Sequence, residues 1–251
     1  MQHICIKFLT TPKELTGLEL DCNGMPLLNH YNWNIVDACI QKLPNYNGAH
    51  DIYQKILNKQ GTTLMFNRND VYEIIKKIAV ENSTRTPDKS IDAFVNYITN
   101  KKLNFWGELQ SGNIELPDMI YNFVKEKSNR KEKSLASKIC KFLNDWIYNK
   151  KDYTINDSFV RGVLPYYLAY HGVNSDIWIK SKGNKKVLQT FEDEIKPYKF
   201  FWRGFNSLMQ ELNNKKINLS PHQVDNIVWF CFRDDGVRFE MAKGLAKSFI
   251  D

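Results

Sequence analysis

Residues 118–145, DMIYNFVKEKSNRKEKSLASKICKFLND, decide how the chain is read. Pro117-Asp118 opens a helix in which Ile120, Phe123 and Val124 recur at helical spacing. The polar stretch KEKSNRKEKS breaks the pattern, and Leu135 to Leu143 resumes it. Two amphipathic helices joined by a short polar turn make a helical hairpin. Seven cations fall between Lys125 and Lys141, namely Lys125, Lys127, Arg130, Lys131, Lys133, Lys138 and Lys141; only Glu126 and Glu132 oppose them. In such a unit the turn amides and the start of the second helix meet phosphates while cations flank them, which suits the backbone of DNA. Contacts of this kind are independent of base sequence and weaken with salt. A solvated charged loop has the same composition, so the stretch alone leaves both readings open.

Outward from the hairpin the signals are mostly helical. Toward the N-terminus, Trp33, Val36, Ile40 and Leu43 share a face that Pro44 ends, and Ile52, Ile56 and Leu57 repeat the pattern before Gly61. Asn69-Asp70 caps a helix with Val71, Ile74, Ile75 and Ile78; after the polar linker Ser83–Lys89, Ser90 starts one with Ile91, Phe94, Val95 and Ile98. Lys101 to Pro117 reads as a short helix and a turn. Toward the C-terminus, Trp146 to Asn156 is a connection, and Asp157 caps the helix SFVRGVLPYYLAYHG, where Pro165 predicts a kink. SKGNKK, residues 181–186, reads as an exposed loop; a helical pattern then runs from Val187 to Leu212, interrupted by Pro197. Ser220-Pro221 starts a helix with Val224, Ile227, Val228 and Phe230, and a last helix spans Arg238 to Phe249. Residues 1–30 differ: IKFL and LELDCNGMPLL read as short extended segments around a turn at Asn23-Gly24. The expected class is all-α in the main, with a short extended N-terminal element.

The bulk numbers narrow the function. With 251 residues the chain buries a substantial core, as one large domain or two intimate lobes. A net charge of +7 and a pI near 9.0 favour an anionic partner, nucleic acid first and a membrane surface second. The five cysteines are odd in number, widely spaced and without a CxxC pair, so a reducing cytoplasm is expected and a zinc site is not. Five scattered histidines give no metal-ligand spacing. The N-terminal residues lack a signal peptide's apolar run, and no stretch is long and apolar enough for a membrane span.

Within the hairpin, Lys138 stands on an apolar helix, and Asp157 follows nineteen positions later at the entry to the next helix. A lysine that sheds its proton beside a held aspartate makes a nucleophile and its partner. Here the segment resembles the hairpin region of the 8-oxoguanine DNA glycosylases, in the helix-hairpin-helix superfamily, most of all the archaeal-type branch and its bacterial relatives. In that family a lysine of the second hairpin helix is the nucleophile, and an aspartate at the mouth of the following helix completes the site. Lys138 in LASKICKFL and Asp157 in TINDSFV match these positions by context and spacing. The resemblance implies a two-lobed helical glycosylase fold over residues 31–251, with the hairpin at about 118–145 and residues 1–30 as a separate extended segment. It implies a monomer that acts on double-stranded DNA with a flipped-out base and needs neither cofactor nor metal. One departure is plain. The family's hairpin carries glycines that bring the backbone close to a phosphate and a monovalent cation, whereas this chain has none between Asn113 and Gly162, and its turn is Asn129-Arg130-Lys131-Glu132.

Such an enzyme attacks C1′ of the target nucleotide with an amine, expels the base, forms a Schiff base and cleaves the strand by β-elimination. A lysine serves because it becomes an iminium, provided that it is partly neutral; Leu135, Ile139 and Phe142 supply apolar surroundings, and Lys141 and Arg130 are the expected nearby cations. The expelled base must first leave the stack and be read. Asp225 and Trp229 are one helical turn apart, as are an Asp and a Trp in the C-terminal helix of the archaeal-type enzymes. The resemblance makes Trp229 a stacking partner and Asp225 an acceptor for the N7–H of 8-oxoguanine, with Phe66, Trp106 and Trp33 as candidates for a second wall. Lys125, Lys127, Arg130, Lys131, Lys133 and Lys141 are the candidate backbone contacts. Three other functions fit the same residues less closely: removal of a modified base from phage DNA as antiviral defence, non-catalytic DNA binding on the same fold, and a structural role in which the basic face is incidental.

Overall fold

The computed structural model describes residues 15–42, 48–60, 66–81, 86–182, 185–188 and 197–249. They form eleven α-helices and one two-stranded hairpin. The helices are α1 (His30–Ile40), α2 (Gly48–Gln60), α3 (Arg68–Glu81), α4 (Asp88–Thr99), α5 (Phe105–Ser111), α6 (Leu116–Ser128), α7 (Lys133–Tyr148), α8 (Ser158–Tyr170), α9 (Tyr198–Asn214), α10 (Pro221–Phe232) and α11 (Gly236–Ser248). The strands β1 (Ile179–Lys182) and β2 (Lys185–Leu188) pair antiparallel, with Ile179 opposite Leu188 and Lys182 opposite Lys185. The mainly helical class read from the sequence holds. No helix among the described residues is long and apolar enough to cross a membrane.

The chain divides into two compact units, each assembled from separate stretches: Met1–Tyr46, Phe159–Thr190 and Gly204–Asp251 in the first, Asn47–Ser158 and Phe191–Arg203 in the second. In the first unit α1 packs on α10, and α10 on α11. Val36 and Ile40 of α1, Val224, Ile227 and Val228 of α10, and Val163, Leu164 and Leu168 of α8 are buried. Residues 19–27 belong to this unit. The side chain of Asn32, fully buried, accepts from the Glu19 amide at 2.8 Å and donates to the carbonyls of Glu19 and Leu27, each at 2.8 Å. The turn expected at Asn23-Gly24 forms: Gly24 takes φ +76°, and Asp21 Oδ1 accepts from the amides of Asn23 and Met25. Tyr167 donates its hydroxyl to the Pro26 carbonyl at 2.7 Å.

In the second unit α3 packs on α2, α4 and α7, α4 on α6, and α6 on α7. The core runs through Ile74, Ile75 and Ile78 of α3, Phe94, Val95 and Ile98 of α4, Ile120 and Val124 of α6, and Leu135, Ile139 and Leu143 of α7. These are the apolar positions that recur at three- and four-residue spacing in the sequence. The expected hairpin is α6, a four-residue turn and α7. Asn129 ends α6 in the left-handed conformation, φ +57°, a position for which asparagine substitutes for glycine.

Four sequence readings change. Ser181 and Lys182 belong to β1 and Lys185 and Lys186 to β2 rather than to an open loop, and Val187 and Leu188 are strand rather than helix. Proline cannot supply an interior helical N–H, and α9 begins at Tyr198, immediately after Pro197. Helix α7 continues through Trp146 and Tyr148, read as connection, and ends where Asn149 turns left-handed at φ +50°. The start of α3 is closed by reciprocal bonds between Asn67 and Asp70, so the cap begins two residues before Asn69. Pro165 lies inside α8, as read. IKFL, Leu43, Pro44, Gly61 and Ser83 lie outside the described residues.

Candidate active site

The site is built on α7. Leu135, Ala136, Ile139 and Cys140 are fully buried and anchor the helix. Ser134 and Lys138 are one turn apart and therefore project from the same side. The Lys138 side chain is 4% exposed, and its Nζ lies 3.5 Å from Asp157 Oδ2. The Ser134 hydroxyl donates to the same oxygen at 3.4 Å. The two residues read as a pair at nineteen-residue spacing are thus brought together within the second unit, and both are buried. Buried opposite charges need each other, because neither is solvated by water there.

Asp157 closes a stretch, residues 151–157, that has no helix or strand of its own. Tyr153, Thr154, Ile155, Asn156 and Asp157 are nevertheless all buried, so their backbone polar groups require partners. Side chains supply several of them. Ser137 Oγ accepts from the Asn156 amide at 2.9 Å and donates to the Ser134 carbonyl at 2.8 Å. The Tyr198 hydroxyl accepts from the Thr154 amide and donates to the Thr154 carbonyl, both at 2.8 Å. Asn144 Oδ1 accepts from the Asp152 amide at 3.2 Å, and Trp202 Nε1 donates to the Asp152 carbonyl at 2.8 Å. The Tyr153 hydroxyl reaches the Asn113 carbonyl at 3.1 Å. Burial pushes the phenols of Tyr153 and Tyr198 up, so both stay protonated and able to donate. Burial likewise pushes the Cys140 thiol well up, which leaves no thiolate two residues beyond Lys138.

The hairpin cations separate into two groups. Lys125, Lys127, Arg130 and Lys131 are exposed. Lys127 and Arg130 pair with Glu126 and Glu132 at 3.4 and 3.7 Å, which leaves them near the surface with short-range partners. Lys141 is half-buried, with its amine 4.6 Å from the centre of the Phe142 ring. Lys133 departs from the expected backbone contact. It is 4% exposed and pairs with Asp118 at 3.3 Å, so its charge is spent inside the unit, where Asp118 Oδ2 also accepts from the Tyr198 amide. The amphipathic spacing of α7 includes position 133 at its first turn, and the run of cations in the sequence hid that difference.

The residues proposed to read a base fall into two local arrangements. Asp225 and Trp229 share a face of α10 in the first unit; Asp225 is buried, and Trp229 is partly exposed. The Arg233 guanidinium lies 4.2 Å from the centre of the Trp229 ring and donates to Asp234. Phe66 and Trp106 belong to the second unit and stack on each other at 5.3 Å and 20°. Their row continues through Tyr53 and Trp146 to Phe142. Phe66 and Trp106, expected as part of a second wall for a base, thus pack ring on ring. Trp33 packs edge-on to His222 in the first unit.

Sequence reasoning missed Ser134, Ser137, Asn144 and Tyr198, which place the pair, and Arg233, which covers the tryptophan. Only Ser134 carried a local signal, its position one turn before Lys138. Compared with protein-family models, with curated proteins and with solved structures, the chain matches none.

Proposed function

We propose that the protein is a DNA glycosylase with AP-lyase activity that excises a damaged base, 8-oxoguanine first, from duplex DNA. One observation carries the reading: a buried lysine amine 3.5 Å from a buried carboxylate, on the second helix of a hairpin whose turn side bears exposed cations. A lysine that served only for solubility has no reason to be enclosed.

The steps follow from the groups present. Lys138 passes a proton to Asp157, the acceptor within reach, and becomes a neutral amine. The Nζ lone pair bonds to C1′ while the electron pair of the C1′–N bond leaves with the base, which takes the proton from Asp157. The Asp157 carboxylate so restored faces the positive charge on the sugar and stabilises it. The sugar ring then opens as Asp157 relays a proton from Nζ to the ring oxygen and a C1′=Nζ iminium forms. The Asp157 carboxylate takes a C2′ proton, which sends electrons through C2′–C3′ and expels the 3′-phosphate, breaking the strand. Water finally releases Lys138. The exposed Lys125, Lys127, Arg130 and Lys131 hold the backbone by charge. Trp229 and Asp225, in the first unit, are the residues proposed to read a base.

The test is covalent trapping. Duplexes that carry 8-oxoguanine or an abasic site are incubated with the protein and borohydride, which reduces the iminium to a stable amine. An adduct on wild-type protein that is absent from Lys138→Gln supports the reading; no adduct and no base release on either duplex overturns it.

A further inference from the structure

We infer that Ser134 and Ser137 form a hydroxyl clamp that holds Asp157 against Lys138, a positioning role that rests on the reaction proposed above. Ser137 is fully buried, and both sides of its hydroxyl are used. It returns its proton to the Ser134 carbonyl and accepts the Asn156 amide at 2.9 Å, one residue before Asp157. That single oxygen ties the irregular stretch to α7 at the point where the carboxylate must be aimed. Ser134 acts on the carboxylate itself. Its hydroxyl and the Lys138 amine address the same oxygen, Oδ2, at 3.4 and 3.5 Å.

Serine is a poor choice inside a helix, because its hydroxyl competes for backbone groups. Two serines in the first turns of α7 therefore need another reason, and their partners supply it. During attack the amine turns from Oδ2 toward C1′, and a carboxylate held by the amine alone then loses its anchor. With Ser134 still donating to Oδ2 and Ser137 still fixing the Asn156 amide, the carboxylate stays where the sugar charge develops. Neither serine touches the reacting atoms in this scheme, so both are positioning residues.

The experiment uses the full chain, an abasic-site duplex and borohydride under single-turnover conditions. In Ser134→Ala the rate of adduct formation at saturating protein falls about tenfold, the scale of one hydrogen bond to a charged group. The protein concentration for half-saturation does not change, since DNA contacts are untouched. Ser134→Thr, which restores a hydroxyl, returns the rate to within about threefold of wild type. Ser137→Ala slows the reaction further and lowers the unfolding temperature, because a buried amide loses its acceptor. If Ser137→Ala does not fold, the Ser134 pair of variants decides alone. A wild-type rate in Ser134→Ala overturns the clamp and leaves the glycosylase reading standing. A loss that Ser134→Thr fails to rescue, with weaker DNA binding, also overturns it. No adduct on wild-type protein overturns the glycosylase reading and the clamp together.

Discussion

Two buried carboxylates, Asp157 in the second unit and Asp225 in the first, are placed by opposite means. Asp225 sits on α10, whose start is fixed by a capping box in which Ser220 and Gln223 satisfy each other's amides. The box that fixes the start of its helix lies within five residues of it. Asp157 ends a stretch with no regular structure and is aimed by partners far away in sequence: Ser137, nineteen residues before Asn156, Tyr198, forty-four after Thr154, and Trp202, fifty after Asp152. A carboxylate on a helix is robust to distant substitutions. A carboxylate on a side-chain-supported connection inherits every weakness of its supports.

The largest expected effect tests whether the second carboxylate does chemistry at all. Lys138→Gln removes the proposed nucleophile while it keeps a hydrogen-bond donor beside Asp157. Strand cleavage at an abasic site is expected to fall by at least about a thousandfold, and trapping to vanish. Salt-dependent binding to undamaged duplex is expected to remain, since Lys125, Lys127, Arg130 and Lys131 are unchanged. A variant that still cleaves at wild-type rate makes Asp157 and Lys138 a structural ion pair and erases the functional half of the comparison.

The next effect belongs to the first unit and to proton uptake. His171, at the end of α8, is 5% exposed. Burial first, and then the Lys215 charge, lower its pKa to about 4, against smaller opposing effects from Glu211 and Asp21. The unfolded chain takes up this proton near pH 6.5 and the folded one only near 4, so stability falls as pH drops through that window. The loss reaches about 3 kcal/mol when both states are protonated. Urea unfolding between pH 7 and 4 measures it, and His171→Phe is expected to flatten that part of the profile. An equal slope in the variant sets His171 aside as the source.

Tyr198→Phe probes the long-range supports directly. The hydroxyl serves both the amide and the carbonyl of Thr154 in a fully buried place. Its removal leaves two backbone groups unsatisfied and is expected to cost about 2 kcal/mol in urea unfolding. It also slows abasic-site trapping through the aim of Asp157, which no substitution of equal cost on α10 should do. Equal trapping rates at equal stability loss show that the connection tolerates slack.

The same contrast explains what was legible. Apolar residues at helical spacing predict α3, α4, α6 and α10, because their packing follows from local period. The hairpin 118–145 and the approach of Lys138 to Asp157 were legible because a spacing and a composition coincide there. Four-residue β1 and β2 were not, since runs so short carry little periodicity and their lysine-rich composition reads as loop. Nor were Ser137, Asn144 and Tyr198: a serine, an asparagine and a tyrosine acquire their roles only from partners that the sequence does not place nearby. The burial of Lys133 was hidden for a related reason, as its partner Asp118 lies on the other helix of the hairpin.

The smallest effect separates the reader from the chemistry. The Arg233 guanidinium rests 4.2 Å from the centre of the Trp229 ring, the ring proposed to stack on a base. A base that stacks there must displace it and forfeit a cation–π contact worth about 0.5–1 kcal/mol. Arg233→Ala removes that competitor, so excision from an 8-oxoguanine duplex at limiting protein is expected to rise by about threefold. Trapping on an abasic-site duplex should stay at its wild-type rate, because that substrate has no base to stack and Lys138 with Asp157 is untouched. Parallel changes on both substrates assign Arg233 to the DNA backbone instead. A change on neither removes Trp229 from the reader and leaves Asp225 as a carboxylate whose place is fixed but whose use is not.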